Sequence, residues 1–181
     1  SEDFSGSIGI YANVTKAHNL ANGNHYFAVH VTVTDTFLIS PDNMTSNTLP
    51  GPYVASASSE YSGYPAWNAF ENTDSAWSSS TPSTGWLKMD IGYLDVTNRY
   101  AIKAHSTLYT SAPKDFTFQG SVDNVAWTTL DTQMGQTFTT SETKTYNFSN
   151  STSYRYYKLD VTANNSTGGV TVSELMIYYV V

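Results

Sequence analysis

Apolar and polar residues alternate with a period of two through most of the chain, the pattern of strands that bury one face. Residues 25–39 place Phe27, Val29, Val31 and Val33 on one side and Ala28, His30, Thr32 and Thr34 on the other. Ser40-Pro41-Asp42-Asn43 breaks this strand, and residues 8–14 form a shorter one before it. Further on, Leu87, Met89 and Ile91 alternate with Lys88 and Asp90 until Gly92. Phe116 and Phe118 share a face ahead of the turn Gly120-Ser121-Val122-Asp123-Asn124. Tyr157, Leu159 and Val161 line another strand, and Leu175, Ile177 and Tyr179 the last. Helical periodicity is confined to a single turn near residues 66–72. Short strands punctuated by turns every few residues predict an all-β sandwich or barrel.

The strongest break is Leu49-Pro50-Gly51-Pro52. It predicts an N-terminal β arm over residues 1–48 and a β-sandwich over 49–181. Two strands are too few for an independent core, so the arm must pair with the sandwich or with another chain. An exposed strand of that length invites strand addition, which predicts attachment or self-assembly into a homo-oligomer.

Charge narrows the choice of partners. The 181 residues carry a net charge of −7, with 8 Lys and Arg scattered singly, so no basic stripe exists for nucleic acid or an anionic membrane. Charged residues make up 13% against roughly 25% in an ordinary soluble domain, the difference being filled by Ser, Thr, Asn and Tyr. Weakly charged, hydroxyl-rich surfaces of this kind suit extracellular and virion β proteins. Without cysteine there is neither a disulfide nor a thiolate metal site. No apolar run approaches the length of a membrane helix, so membrane insertion is not expected.

Several blocks from Gly51 onward resemble the discoidin, or F5/8 type C, family. Ala66-Trp67-Asn68-Ala69-Phe70-Glu71-Asn72 followed by Ser75-Ala76-Trp77 is similar to its "A-F-D-G…S-T-x-W" signature. Gly85-Trp86-Leu87-Lys88-Met89-Asp90-Ile91-Gly92 resembles "W-L-x-x-D-L-G", and Phe116 to Ser121 with Trp127 resembles the "F-x-x-x-G-S-x-D-G-x-x-W" hairpin. Tyr154-Arg155-Tyr156-Tyr157-Lys158-Leu159 and Ser173-Glu174-Leu175 match the closing strands. The blocks most resemble microbial and phage-tail versions of the domain.

The resemblance implies a jelly-roll β-sandwich of the galactose-binding-like type. It implies a non-catalytic module that binds glycans or lipid head groups through loops at one end, with Trp77, Trp86 and Trp127 in the core. It also implies one structural Ca²⁺, held by the loop bearing Glu71 and Asp74 and by Glu174. Glu71 and Asn72 depart from the family's Asp and Gly at that loop. For the glycan, aromatic faces and polar loop groups nominate His105 and Tyr109 first, then Tyr64, Trp67, Asn164 and Asn165. Ser78 and Thr107 stand where galactose-binding relatives carry His and Arg.

No nucleophile elbow, His-Glu-x-x-His motif, facing carboxylate pair or phosphate-cradling Gly loop is present. An enzyme is therefore not expected. The expectation is an adhesion module at an extracellular, cell or virion surface, recognising cell-surface or matrix glycans. The competing expectation is a structural fibre or decoration subunit built on the same fold.

Overall fold

The alternating segments fold as strands in the computed structural model, which describes residues 35–181. In chain order these are β1 (Thr36–Leu38), β2 (Val54–Ala57), β3 (Trp77–Pro82), β4 (Gly85–Val96), β5 (Arg99–Lys103), β6 (Pro113–Ser121), β7 (Thr128–Gln133), β8 (Thr143–Asn147), β9 (Ser153–Asn164), β10 (Gly169–Val172) and β11 (Glu174–Val180). One 3-10 turn, Ala66–Phe70, follows β2, and a shorter one, Tyr109–Ser111, precedes β6. The strand expected over residues 8–14 and most of that over 25–39 lie outside the described residues.

Five strands form one sheet in the order β2-β4-β9-β6-β7, and four form another in the order β1-β11-β5-β8. A β10-β3 ribbon accompanies them. Every pairing among the described residues is antiparallel. The sheets face one another as a sandwich, confirming the all-β class. Leu87, Met89 and Ile91 of β4, Phe116 and Phe118 of β6 and Leu159 of β9 are buried in the core, with Tyr100 and Ile102 of β5 and Leu175 and Ile177 of β11 from the other sheet. The Tyr100 ring stacks on Phe118 across the sandwich with centroids 4.3 Å apart, and Phe118 stacks on Tyr157 at 5.9 Å. Aromatic pairs of this kind contribute about 0.5–1.5 kcal/mol each beyond simple burial. Where β6 passes Tyr154, only glycine fits: a Cβ on Gly120 would lie 2.6 Å from the ring.

Two expectations need correction. The compact unit runs from Thr36 to Val180, so the boundary expected at residue 49 falls inside it. The reason is packing: β1 pairs with β11, Ile39 and Met44 are buried in the core, and the Ile39 amide donates to the Ile177 carbonyl at 2.8 Å. Leu49-Pro50-Gly51-Pro52 is a turn within this unit. The second correction concerns the tryptophans. Trp77 is fully buried, its indole N–H donating to the Ser59 carbonyl at 3.0 Å. Trp86 and Trp127 are half-buried. Strand alternation explains Trp86: it shares the face of Lys88 and Asp90, opposite the inward Leu87, Met89 and Ile91.

Candidate functional site

β4 and β6 begin at the end of the sandwich where β9 finishes, because β9 runs antiparallel to both. The loops gathered there hold one another by hydroxyl and amide groups. Ser111 and Ser166 hydroxyls meet at 3.0 Å, and the Ser83 hydroxyl donates to the Ser166 carbonyl at 3.3 Å. The Ser78 amide donates to the Tyr64 carbonyl at 3.2 Å and the Tyr61 amide to the Ser78 carbonyl at 2.7 Å.

Of the residues nominated for glycan contact, several are occupied in building these loops. Asn164 is buried; its amide nitrogen donates to the Gly168 and Gly169 carbonyls at 3.1 and 3.0 Å, and its oxygen accepts from the Ser166 amide. Asn165 is exposed and donates to the Gln136 carbonyl at 2.9 Å. His105 accepts through Nδ1 from the Thr107 and Leu108 amides, both at 3.2 Å, so it closes its own turn. Tyr109 and Trp67 are half-buried against the core. Tyr64 tilts against the exposed Tyr61 with centroids 6.2 Å apart. Ser78 is buried and bonds the Thr171 hydroxyl at 3.1 Å. Tyr61, Tyr64 and Ser78 are thus brought together, and His105 is tied to the Asp74 loop by a Ser106 hydroxyl donated to the Asp74 carboxylate.

The three candidate calcium ligands point to different partners. Glu174 is 4% exposed, and its Oε1 accepts from the Thr73 amide at 3.1 Å. Burial pushes its carboxyl up to about 7, against the opposing pull of the Asn72 and Thr73 amides and the Lys103 charge. Lys103, opposite Glu174 in the β5–β11 register, donates its ammonium to the Thr73 carbonyl at 3.4 Å. Glu71 accepts from the Thr73 hydroxyl at 2.8 Å. The Ser106 hydrogen bond holds the Asp74 carboxyl below the usual carboxylate range. Calcium needs six to eight oxygen ligands converging at about 2.3–2.6 Å. Here backbone amides face the only buried carboxylate of the group, the Lys103 ammonium takes the Thr73 carbonyl, and no cluster of three acidic or histidine side chains suited to a metal occurs among the described residues. The arrangement does not fit the ion, and the Lys103 ammonium supplies positive charge in that corner.

Sequence reasoning placed Trp86 in the core and nominated it for no site. Its side chain borders a cleft of about 350 Å³ that opens beside the loop end, with Ser58, Thr81, Thr84, Asp160 and Thr162 on the walls. The size falls within the range of small-ligand sites, about 300–1,000 Å³. An indole face beside several hydroxyls and a carboxylate can stack on an apolar ring face while bonding the ring's hydroxyl groups. The period-two pattern already carried this signal, since it sets Trp86 apart from the inward residues of its strand.

A family model described as the F5/8 type C domain matches residues 54–175. No curated protein matches the chain in sequence. Among solved structures, the family 32 carbohydrate-binding module of Clostridium perfringens NanJ in complex with galactose superposes with a TM-score of 0.65 at 17% identity, over 80% of this chain and all of its own. A second C. perfringens module, CpGH89CBM32-5 in complex with GalNAc-β-1,3-galactose, gives 0.63 at 17% identity over 70% of this chain and 95% of its own. The CBM32 of AlyQ in complex with 4,5-unsaturated mannuronic acid gives 0.60 at 18% identity over 70% and 94%.

Proposed function

Because the chain belongs to the F5/8 type C family, we propose that it is a non-catalytic glycan-binding module serving adhesion at an extracellular, cell or virion surface. The observation that carries the reading is the cleft beside Trp86, where an aromatic face, hydroxyls and the Asp160 carboxylate converge next to the loop end. The sugars bound by the structurally similar modules support a saccharide ligand. The same reading gives residues 1–48 a part in attachment or self-assembly. A truncation that tests this stops before Thr36, since β1, Ile39 and Met44 belong to the sandwich.

A glycan array of the intact chain, repeated with Trp86→Ala, Tyr109→Ala and His105→Ala, tests the reading. Binding lost with Trp86→Ala supports the cleft. Binding lost only with Tyr109→Ala or His105→Ala moves the sugar onto the loops. An array on which no glycan binds refutes the function.

A further inference from the structure

Trp86 is a wall shared by two clefts. On its other side lies a groove of about 270 Å³ on the outer face of the five-stranded sheet, lined by Trp86, Lys88, Asn124, Trp127 and Lys158. Lys88 on β4 and Lys158 on β9 are direct cross-strand partners in the register. Like charges placed opposite one another in a sheet are destabilising, and this chain has only 8 basic residues against 15 acidic ones to distribute. Neighbouring groups offset the repulsion without removing it. The Lys88 ammonium sits 5.3 Å from the Trp86 ring centroid and donates to the Asn124 side-chain oxygen at 2.9 Å. The Lys158 ammonium sits 4.4 Å from the Trp127 ring and 3.8 Å from Asp160. The other acid, Asp90, is engaged by a two-pronged Arg155 contact at 2.8 and 2.9 Å, though its charge still reaches Lys88.

We propose that this groove binds the anionic substituent of an acidic saccharide, held between the facing Lys88 and Lys158 with its ring against Trp86 or Trp127. The reasoning is charge complementarity. An anion bridging the two ammonium groups converts a repulsive pair into two charge-assisted hydrogen bonds, and indole faces beside them suit a sugar ring. At about 270 Å³ the groove lies just under the lower end of small-ligand sites, about 300 Å³, so it takes one ring at most. Burial, and after it the Lys158 charge, hold Lys88 below the ordinary lysine range, while Asp90 pulls the other way. The inference rests on the glycan-binding reading and assigns its ligand class.

Titration calorimetry of the intact chain at low salt decides the matter. The probes are a galacturonate oligomer, a neutral galactose oligomer of equal length, a heparin oligosaccharide and a single-stranded oligonucleotide. The expected result is that an acidic oligomer binds about tenfold or more tightly than the neutral one, the loss typical of removing a charged hydrogen-bond partner. Binding of galacturonate shows that a carboxylate suffices, whereas binding of heparin alone shows that a sulfate is required. The Lys88→Gln, Lys158→Gln double variant should erase the difference while its melting temperature holds or rises, since the repulsion is gone. Equal binding of both oligomers by the intact chain overturns the groove and leaves the glycan reading standing. Binding of neither overturns the groove, and the glycan array then decides the wider reading. An oligonucleotide bound as tightly as the acidic oligomer, or a double variant that melts markedly lower, also overturns it, because the lysines are then a nonspecific anion patch or structural props.

Discussion

Replacing Glu174 by Gln should change how stability depends on pH, and the size of the change follows from burial. The Glu174 carboxyl is raised from 4.5 to about 7 by desolvation in the folded chain. Below about pH 4.5 it is protonated in both folded and unfolded states and contributes no penalty. Between 4.5 and about 7 the unfolded chain releases this proton while the folded chain keeps it. Folding then loses about 1.4 kcal/mol per pH unit from this group, for a total of about 3 kcal/mol above pH 7. Gln is neutral throughout and keeps an oxygen to accept the Thr73 amide. The stability difference between variant and parent should therefore grow by about 3 kcal/mol in the variant's favour between pH 4.5 and 8. Other carboxyls, such as Asp123 and Glu142, are shifted downward by hydrogen bonds from backbone amides, but they are common to both proteins and cancel in the difference. Urea unfolding followed by tryptophan fluorescence at several pH values measures it. Parallel profiles would refute the buried-carboxyl argument. A parent whose stability at pH 8 rises with added Ca²⁺ and falls on chelation would refute the geometric case against the ion, because bound calcium requires Glu174 ionised.

The other predictions separate core from surface. Trp77→Ala should cost about 3–5 kcal/mol, the range for emptying a buried aromatic site, whereas Trp86→Ala should leave the melting temperature within a few degrees while abolishing sugar binding; thermal melts run beside calorimetry check both. Gly120→Ala should destabilise by about 1–3 kcal/mol through overpacking against Tyr154, and a denaturant midpoint equal to the parent's would show that the ring can move aside.

The period-two pattern carried the sheet faces well, because a strand has only two sides and core residues must occupy one of them. Leu87, Met89, Phe116, Phe118, Leu159 and Ile177 were legible on that basis alone. Proline and glycine misled at Leu49-Pro50-Gly51-Pro52: they mark a turn, and whether a turn links two bodies or folds back within one depends on long-range packing. Ile39 and Met44 supply that packing here, and no local signal in the sequence announces it. The loop residues failed for a related reason. Asn164 has the composition of a ligand-binding side chain, yet its polar atoms are consumed by the turn at Gly168 and Gly169. Composition gives the donors a residue owns, whereas only the fold tells which are already spent.

Trp86 shows the reverse case, in which the residues held the answer and the family resemblance obscured it. Matched to the family's "W-L-x-x-D-L-G" block, it falls in the core; read by alternation, it belongs with Lys88 and Asp90 on the outside. The two readings make different demands on the neighbours. A core tryptophan needs a partner for its indole N–H, as Trp77 has in Ser59. A surface one needs a reason to keep its large apolar face half-exposed between two clefts. Hydrophobic burial alone gives none, since a threonine would serve that sheet face at lower solvation cost. The Lys88 ammonium 5.3 Å from the ring centroid gives one reason, and the stacking of a ligand is a second, which the Trp86→Ala variant tests.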